Sequence, residues 1–298
     1  MERNYGAVEA GGTKFRCGVG TETSEWLAEM RIETTTPAET LSAVVDFFGS
    51  TGLPLQAVGV GSFGPLDLDP ASPSFGRITT TPKSGWSGAD ILGDLRRALK
   101  VPIGLDTDVN AAALGEHRWG RGRGLGVVLY LTIGTGIGGG LVVDGRPVHG
   151  LVHPEMGHIR IPVEAAGDFP GVCPYHGNCF EGLASGPAVA ARWGRPVETL
   201  PEGHPAWQIE AEIVAAALHG FVCTISPHRI ILGGGVMQRQ TGLFGAIRSK
   251  LAASLNGYVR SPALIDKLDE YVVPPALGDR AGLAGGLILA QRAAGAGF

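Results

Sequence analysis

Apolar residues near the start of the chain fall in two short runs, Tyr5-Gly-Ala-Val-Glu-Ala10 and Phe15-Arg-Cys-Gly-Val-Gly20, separated by Gly11-Gly12-Thr13-Lys14. Runs of this length bounded by glycine predict two strands joined by a tight turn. A third strand is expected from near Trp26. Between Pro37 and Gly49, apolar residues recur at Leu41, Val44, Val45, Phe47 and Phe48, a helical stripe. Ala57-Val-Gly-Val-Gly61 predicts a short buried strand that ends in the turn Ser62-Phe-Gly-Pro65. Val101–Leu105 predicts another, running through Asp106-Thr-Asp-Val-Asn110 into a helix over Ala111–Glu116. Asp and Thr at that junction are natural N-caps.

The second half opens with an apolar strand pair, Val127–Leu131 and Leu141–Val143, around a stretch holding five glycines in seven residues, Gly134–Gly140. From His149 to Asn178 there is little periodicity, and a loop-rich segment is expected. Helices are predicted over 186–194, 206–226 and 241–256, strands over 229–232 and 271–273, and a final helix over 282–294. Hairpin strands followed by βα units thus occur twice. The expectation is an α/β chain built as two similar lobes with an interlobe cleft.

Composition narrows the function classes. A formal net charge of −4 with no basic run argues against nucleic acid as the main partner. The 48 glycines, combined with 44% hydrophobic residues, indicate many tight loops rather than disorder. Gly124–Val143 is a twenty-residue window without charge, long enough for a membrane span, but seven of its residues are glycine. A buried strand pair with a ligand loop accounts for that mixture better, so no membrane association is expected. The start, Met1-Glu-Arg-Asn-Tyr5, is polar and carries no secretory signal, which points to the cytoplasm. A disulfide framework is accordingly not expected from the four cysteines.

Three features carry chemistry. Glycine-rich turns at Gly11-Gly12-Thr13-Lys14, Gly134–Gly140 and Gly233-Gly234-Gly235 can bring backbone N–H groups close to an anion, typically phosphate. Asp108 sits at the end of a predicted strand, where a carboxylate serves either as a helix cap or as a rigidly held general base. His158, Cys173, His176 and Cys179 form the pattern H-x14-C-x2-H-x2-C. Two imidazoles and two thiolates suit tetrahedral Zn²⁺, and four protein ligands leave no open position for water. The expected zinc is therefore structural, not hydrolytic.

Glu9-Ala-Gly-Gly-Thr-Lys-Phe15, Gly61-Ser-Phe-Gly-Pro65, Thr81-Pro-Lys-Ser-Gly-Trp86, Asp106-Thr-Asp-Val-Asn-Ala-Ala-Ala-Leu-Gly-Glu116, Thr132–Gly140, His153-Pro-Glu-Met-Gly-His158 and Cys173–Pro187 follow one another along the chain. In that order they resemble the ROK sugar kinases, most closely their fructokinase branch. The resemblance implies an actin-like ATPase fold of two ribonuclease-H-like lobes, here divided as 1–117 plus 283–298 and 118–282. It implies Mg²⁺-dependent transfer of the ATP γ-phosphoryl group to a hexose hydroxyl, and a homodimer. Asp108 then corresponds to the catalytic base. Ser62, Gly64, Asn110, Glu155, His158 and Glu181 correspond to sugar-binding positions, with Trp86 as a possible cover. Gly11, Gly12, Thr13, Lys14, Thr135, Gly136, Gly138, Gly234 and Gly235 correspond to ATP-binding positions. His158 is expected to bind zinc through one ring nitrogen and face the sugar with the other.

This chain departs from the family's usual residues at Glu9 (commonly Asp), Thr107 (commonly Asn) and His176 (commonly Cys). Fructose is the expected substrate, with glucose, mannose or N-acetylmannosamine as alternatives. The family also contains helix-turn-helix repressors. The first phosphate loop begins at residue 9 and the charge does not suit DNA, so that class ranks lower, and the presence of Asp108 argues against a non-catalytic sugar sensor.

Overall fold

In the computed structural model, which describes residues 3–162 and 164–295, β1 (Asn4–Ala10) and β2 (Lys14–Thr21) form the first hairpin, and β3 (Trp26–Glu33) extends it. Helix α1 (Pro37–Ser50) then starts at a reciprocal cap. The Thr36 hydroxyl accepts from Glu39 N–H, Glu39 reaches back to Thr36 N–H, and Pro37 occupies the first turn, where a missing donor costs nothing. Its inner face, Leu41, Val44, Phe47 and Phe48, is buried. Strands β4 (Leu55–Ser62) and β5 (Ile103–Thr107) join parallel to β1, giving the sheet order β3-β2-β1-β4-β5.

A helix that the periodicity did not announce, α2 (Ile91–Leu99), precedes β5. Asp90 caps it by accepting from Gly93 N–H, and Ile91, Leu92 and Leu95 are buried. It is short and its outer face is charged, so its three anchors fall below what a longer window detects. Helix α3 (Asp108–Trp119) follows β5 directly.

The C-terminal helix Ala281–Ala293 covers the opposite face of this sheet from α1. Its glycines permit backbone contact. A Cβ on Gly285 would lie 1.7 Å from the Ala111 carbonyl oxygen, and one on Gly59 would lie 1.9 Å from that of Gly286. Such approach is open only to glycine, which explains why Gly282, Gly285 and Gly286 sit in a helix interior.

The second sheet repeats this plan. Hairpin β6 (Val127–Ile133) and β7 (Ile137–Val143) pairs through β6 with the parallel strand Arg229–Gly233, which pairs in turn with Val272–Val273. Helix Ala206–Thr224 buries Trp207, Ile213, Val214, Leu218 and Phe221 in this unit.

The chain thus divides into two units. The first runs to Arg123, takes up Gly145–Pro154, and resumes at Asp279; the second comprises Gly124–Asp144 and Glu155–Gly278. The division expected at 117 and 282 does not anticipate the return of Gly145–Pro154 to the first unit. Residues 1–2 and 296–298 of that expectation lie outside the described residues. Among the described residues, no helix is long and apolar enough to cross a membrane. Cys17 is buried and Cys223 is exposed.

Candidate active site and metal centre

In the first unit, the β1–β2 turn is held from the side by the end of β3. Gly11 N–H donates to the Lys14 carbonyl at 3.0 Å. The Thr34 hydroxyl donates to the Gly11 carbonyl at 2.8 Å, and Thr34 N–H donates to the Thr13 carbonyl at 3.1 Å. A Cβ on Gly12 would meet nothing within 4 Å. The turn is thus rigid on one side and open on the other, as close approach of a ligand requires.

Glu9 precedes this turn, opposite Arg16 across the hairpin. Its Oε2 is sealed from water and has no hydrogen-bond partner among the described residues. Burial, with the negative charge of Asp108 adding to it against the opposing pull of Arg16, raises its pKa from 4.5 to about 7. An orphaned carboxylate oxygen beside a phosphate-type turn suits a divalent cation or one of its waters.

The electrostatic cost has a measurable consequence. At pH 4 folded and unfolded chains both hold the proton, so Glu9→Gln is expected to leave stability unchanged. Above pH 7 only the folded chain carries an ionised Glu9 at a cost, and the variant is expected to be more stable by about 3 kcal/mol. Denaturant titrations at both pH values check this. A difference that does not change with pH would contradict it.

Helix α3 is capped by Thr107, whose hydroxyl accepts from Asn110 N–H at 3.1 Å. The cap is therefore not Asp108, which stands at the first helical position with Oδ1 accepting from Val109 N–H at 2.8 Å. Asp106, buried at the end of β5, accepts through a single oxygen from Thr107 N–H at 2.8 Å and Asn110 Nδ2 at 2.7 Å, with His149 Nε2 3.0 Å away. Asn110 is 1% exposed. Its Nδ2 is given to Asp106, while its Oδ1 is buried with no hydrogen-bond partner among the described residues.

Ser62 departs from its expected role. It is fully buried, and its hydroxyl donates to the Phe63 carbonyl, shaping the turn from within. Gly64 stays partly exposed, with the imidazole of His153 behind it and Leu66 N–H donating to His153 Nε2 at 3.0 Å. Trp86 is core. It is fully buried between Phe15 and Phe63, and its indole N–H donates to the Thr35 carbonyl.

In the second unit, only Gly134, Thr135 and Gly136 form the turn of the β6–β7 hairpin. Gly138–Gly140 belong to β7, where Gly138 pairs with Thr132 and Gly139 gives way to Met156 and Leu131. Glu181 braces the turn, its Oε2 accepting from Ile137 N–H at 2.8 Å. A Cβ on Gly134 would stand 3.7 Å from the Gly235 nitrogen, so two of the expected phosphate loops adjoin. Gly234 has φ 91°, and a Cβ there would strike the Ile133 backbone.

His158, Cys173, His176 and Cys179 each bring one ligand atom to a common point, all within 4.8 Å of one another. The His158 Nδ1 lies 3.7 Å from Cys173 Sγ and 3.6 Å from Cys179 Sγ, and His176 Nδ1 lies 3.7 Å from Cys173 Sγ. Zinc bond lengths placed at a tetrahedral angle separate sulfur from nitrogen by about 3.6 Å. Burial, reinforced by the Cys173 thiol, holds the Cys179 thiol above its usual value, so two thiolates here call for a cation. The other ring nitrogen of His158 lies 4.0 Å from a carboxylate oxygen of Glu155, itself half-exposed.

Sequence reasoning assigned no role to His149 and His153. They lie in a segment without periodicity, and their partners, Asp106 and Leu66, are remote along the chain.

The family model of the ROK family matches residues 5–293. A "Putative fructokinase" of Bacillus subtilis is 46% identical over 97% of this chain and 95% of its own length. A "Fructokinase" of Pediococcus pentosaceus is 46% identical over 97% of this chain and 98% of its own. The crystal structure of a ROK hexokinase from Thermus thermophilus, 28% identical, superposes with a TM-score of 0.81 over 99% of this chain and all of that one. A family match over residues 5–293, with relatives 46% identical over nearly the whole chain, leaves one conclusion: the chain belongs to the ROK family.

Proposed function

We propose that the protein is an ATP-dependent hexokinase of the fructokinase type, converting fructose to fructose 6-phosphate. Near-full-length identity of 39–46% to five proteins named as fructokinases carries this reading. The proteins named as kanosamine kinase and glucokinase stand at 28–31%.

The residues fit that reaction. Asp108 accepts the proton of the sugar hydroxyl and aims its oxygen at the γ-phosphorus, helped by its place at the start of α3, where positive helix potential favours the ionised form. Gly11–Lys14, the Gly134–Gly136 turn and Gly234–Gly235 offer backbone N–H groups and the Lys14 ammonium to the phosphates. Glu9 is the residue suited to hold Mg²⁺ or one of its waters. When bound with ATP, Mg²⁺ neutralises charge that develops on the phosphate oxygens. Gly64, Glu155, Glu181 and the Nε2 edge of His158 read the sugar, carboxylates being good readers of paired hydroxyls. Ser62 and Asn110 support these groups from behind. His158, Cys173, His176 and Cys179 hold a structural Zn²⁺ that shapes the sugar-reading segment.

The deciding experiment incubates purified protein with Mg²⁺ and ATP and a panel of fructose, glucose, mannose and N-acetylmannosamine. Fructose is expected to give the highest kcat/KM. If no sugar raises ADP release above the water rate, the kinase reading fails.

A further inference from the structure

Residues Gly145–Pro154 belong to the first unit although the chain on either side of them belongs to the second. Within that unit they are tied down at three points. Arg292 of the C-terminal helix donates to the Gly145 carbonyl, His149 meets Asp106, and His153 accepts from Leu66 N–H. The middle tie has the most specific geometry.

Asp106 gathers donors from residues on both sides of Asp108. Thr107 N–H and the Asn110 amide converge on its Oδ1 at 2.8 and 2.7 Å, so the carboxylate bridges the strand end and the first helical turn around the base. Asp106 is 3% exposed, so its orientation is set by the partners it meets inside the fold. His149 Nε2, 3.0 Å away, completes that set. The His149 side chain is 39% exposed and lies in an irregular segment, so its removal takes little apolar burial from the fold.

We propose that His149 is a positioning residue for Asp108, acting through Asp106: its imidazole Nε2 holds the Asp106 carboxylate in place, and that carboxylate holds the junction from which Asp108 projects. Other charged and titratable groups face the same place. Arg292 of the C-terminal helix feels both Asp106 and Arg146 of the connecting segment, and His117 of α3 lies against Gly145. The hydrogen bond to Asp106 also raises the His149 pKa, which keeps the imidazole protonated to higher pH than a free imidazole would be. The inference rests on Asp108 being the proton acceptor.

Steady-state kinetics of His149→Phe and His149→Gln, from about pH 6 to 9, test it, with melting temperature and fructose affinity measured on the same samples. His149→Phe is expected to lower kcat by about ten- to a hundred-fold, with the KM for ATP and the Kd for fructose within about two-fold of the parent, because a misplaced base slows transfer without weakening binding. His149→Gln keeps an N–H donor and is expected to recover most of that loss. The parent kcat is expected to decline on the alkaline side as the imidazolium loses its proton, and His149→Gln to lack that decline.

Three results overturn the proposal: parent-level kcat in His149→Phe at every pH, a weakened fructose affinity that accounts for the loss, or a loss that tracks melting temperature with Gln no better than Phe. Asp108→Asn, assayed in parallel, separates the two readings. If it retains turnover, the base assignment itself falls. If it is inactive while His149→Phe is unimpaired, only the positioning role falls.

Discussion

Asp108→Asn is expected to reduce kcat by about a thousand-fold while fructose still binds, since general-base catalysis contributes roughly that factor and the amide keeps the side chain's size. The substitution tests one property, the capacity to accept a proton. Folding should tolerate it, because the α3 cap is the Thr107 hydroxyl and not the Asp108 carboxylate. Stopped assays at saturating ATP and fructose, with isothermal titration of fructose, read both quantities. Turnover within about ten-fold of the parent would show that another group takes the proton.

Loss of the metal is expected to be the most damaging change to the folded chain. Cys173→Ser with Cys179→Ser, or prolonged exposure to a strong chelator, is expected to lower the melting temperature by on the order of 10 °C and to abolish fructose affinity. The reason is local. Between Met156–His158 and Phe180–Ala184 the described residues form no strand and only short helical turns, so a cation held by these four side chains would replace a core that this stretch lacks. Glu155 and Glu181, the proposed sugar readers, flank the stretch, so sugar affinity is expected to follow its order. Metal analysis of protein purified without chelator should find about one zinc per chain, as a four-ligand site requires. No zinc, together with an unchanged melting temperature after chelation, would refute the assignment.

Much of the architecture follows from local pattern. The strands flanking Gly11–Lys14, the Pro37 helix with its Thr36 and Glu39 cap, and the β6–β7 hairpin arise where the sequence places them, because period, cap and turn residue agree. The His/Cys cluster was equally legible, since ligand type and short spacing are one-dimensional information. Glycines were harder to read. Those at Gly138–Gly140 look like part of a ligand loop, yet they lie in β7, where Gly139 makes room for Met156. The same residue type serves close approach to a ligand and close approach to a neighbour, and composition does not distinguish the two.

Among the sugar positions, polar type misled in the same way. Ser62 and Asn110 stand where the family resemblance puts ligand contacts, yet both are buried and hydrogen-bonded inward, to the Phe63 carbonyl and to Asp106. Trp86, an aromatic that suggests a sugar platform, is core beneath Phe63.

By itself, then, the sequence determined the periodic elements, the turns that glycine permits, the His/Cys cluster suited to a metal, and the family. Each of these depends on residue type and on spacing along a few turns or strand positions. Only the tertiary structure decided which polar groups face outward, that Thr107 and not Asp108 caps α3, that Glu9 holds a carboxylate oxygen with no partner among the described residues, and that His149 closes on Asp106 from 43 residues away. Those outcomes depend on burial and on partners brought together by folding. A side chain's chemistry changes with its surroundings, whereas its place in a local pattern does not.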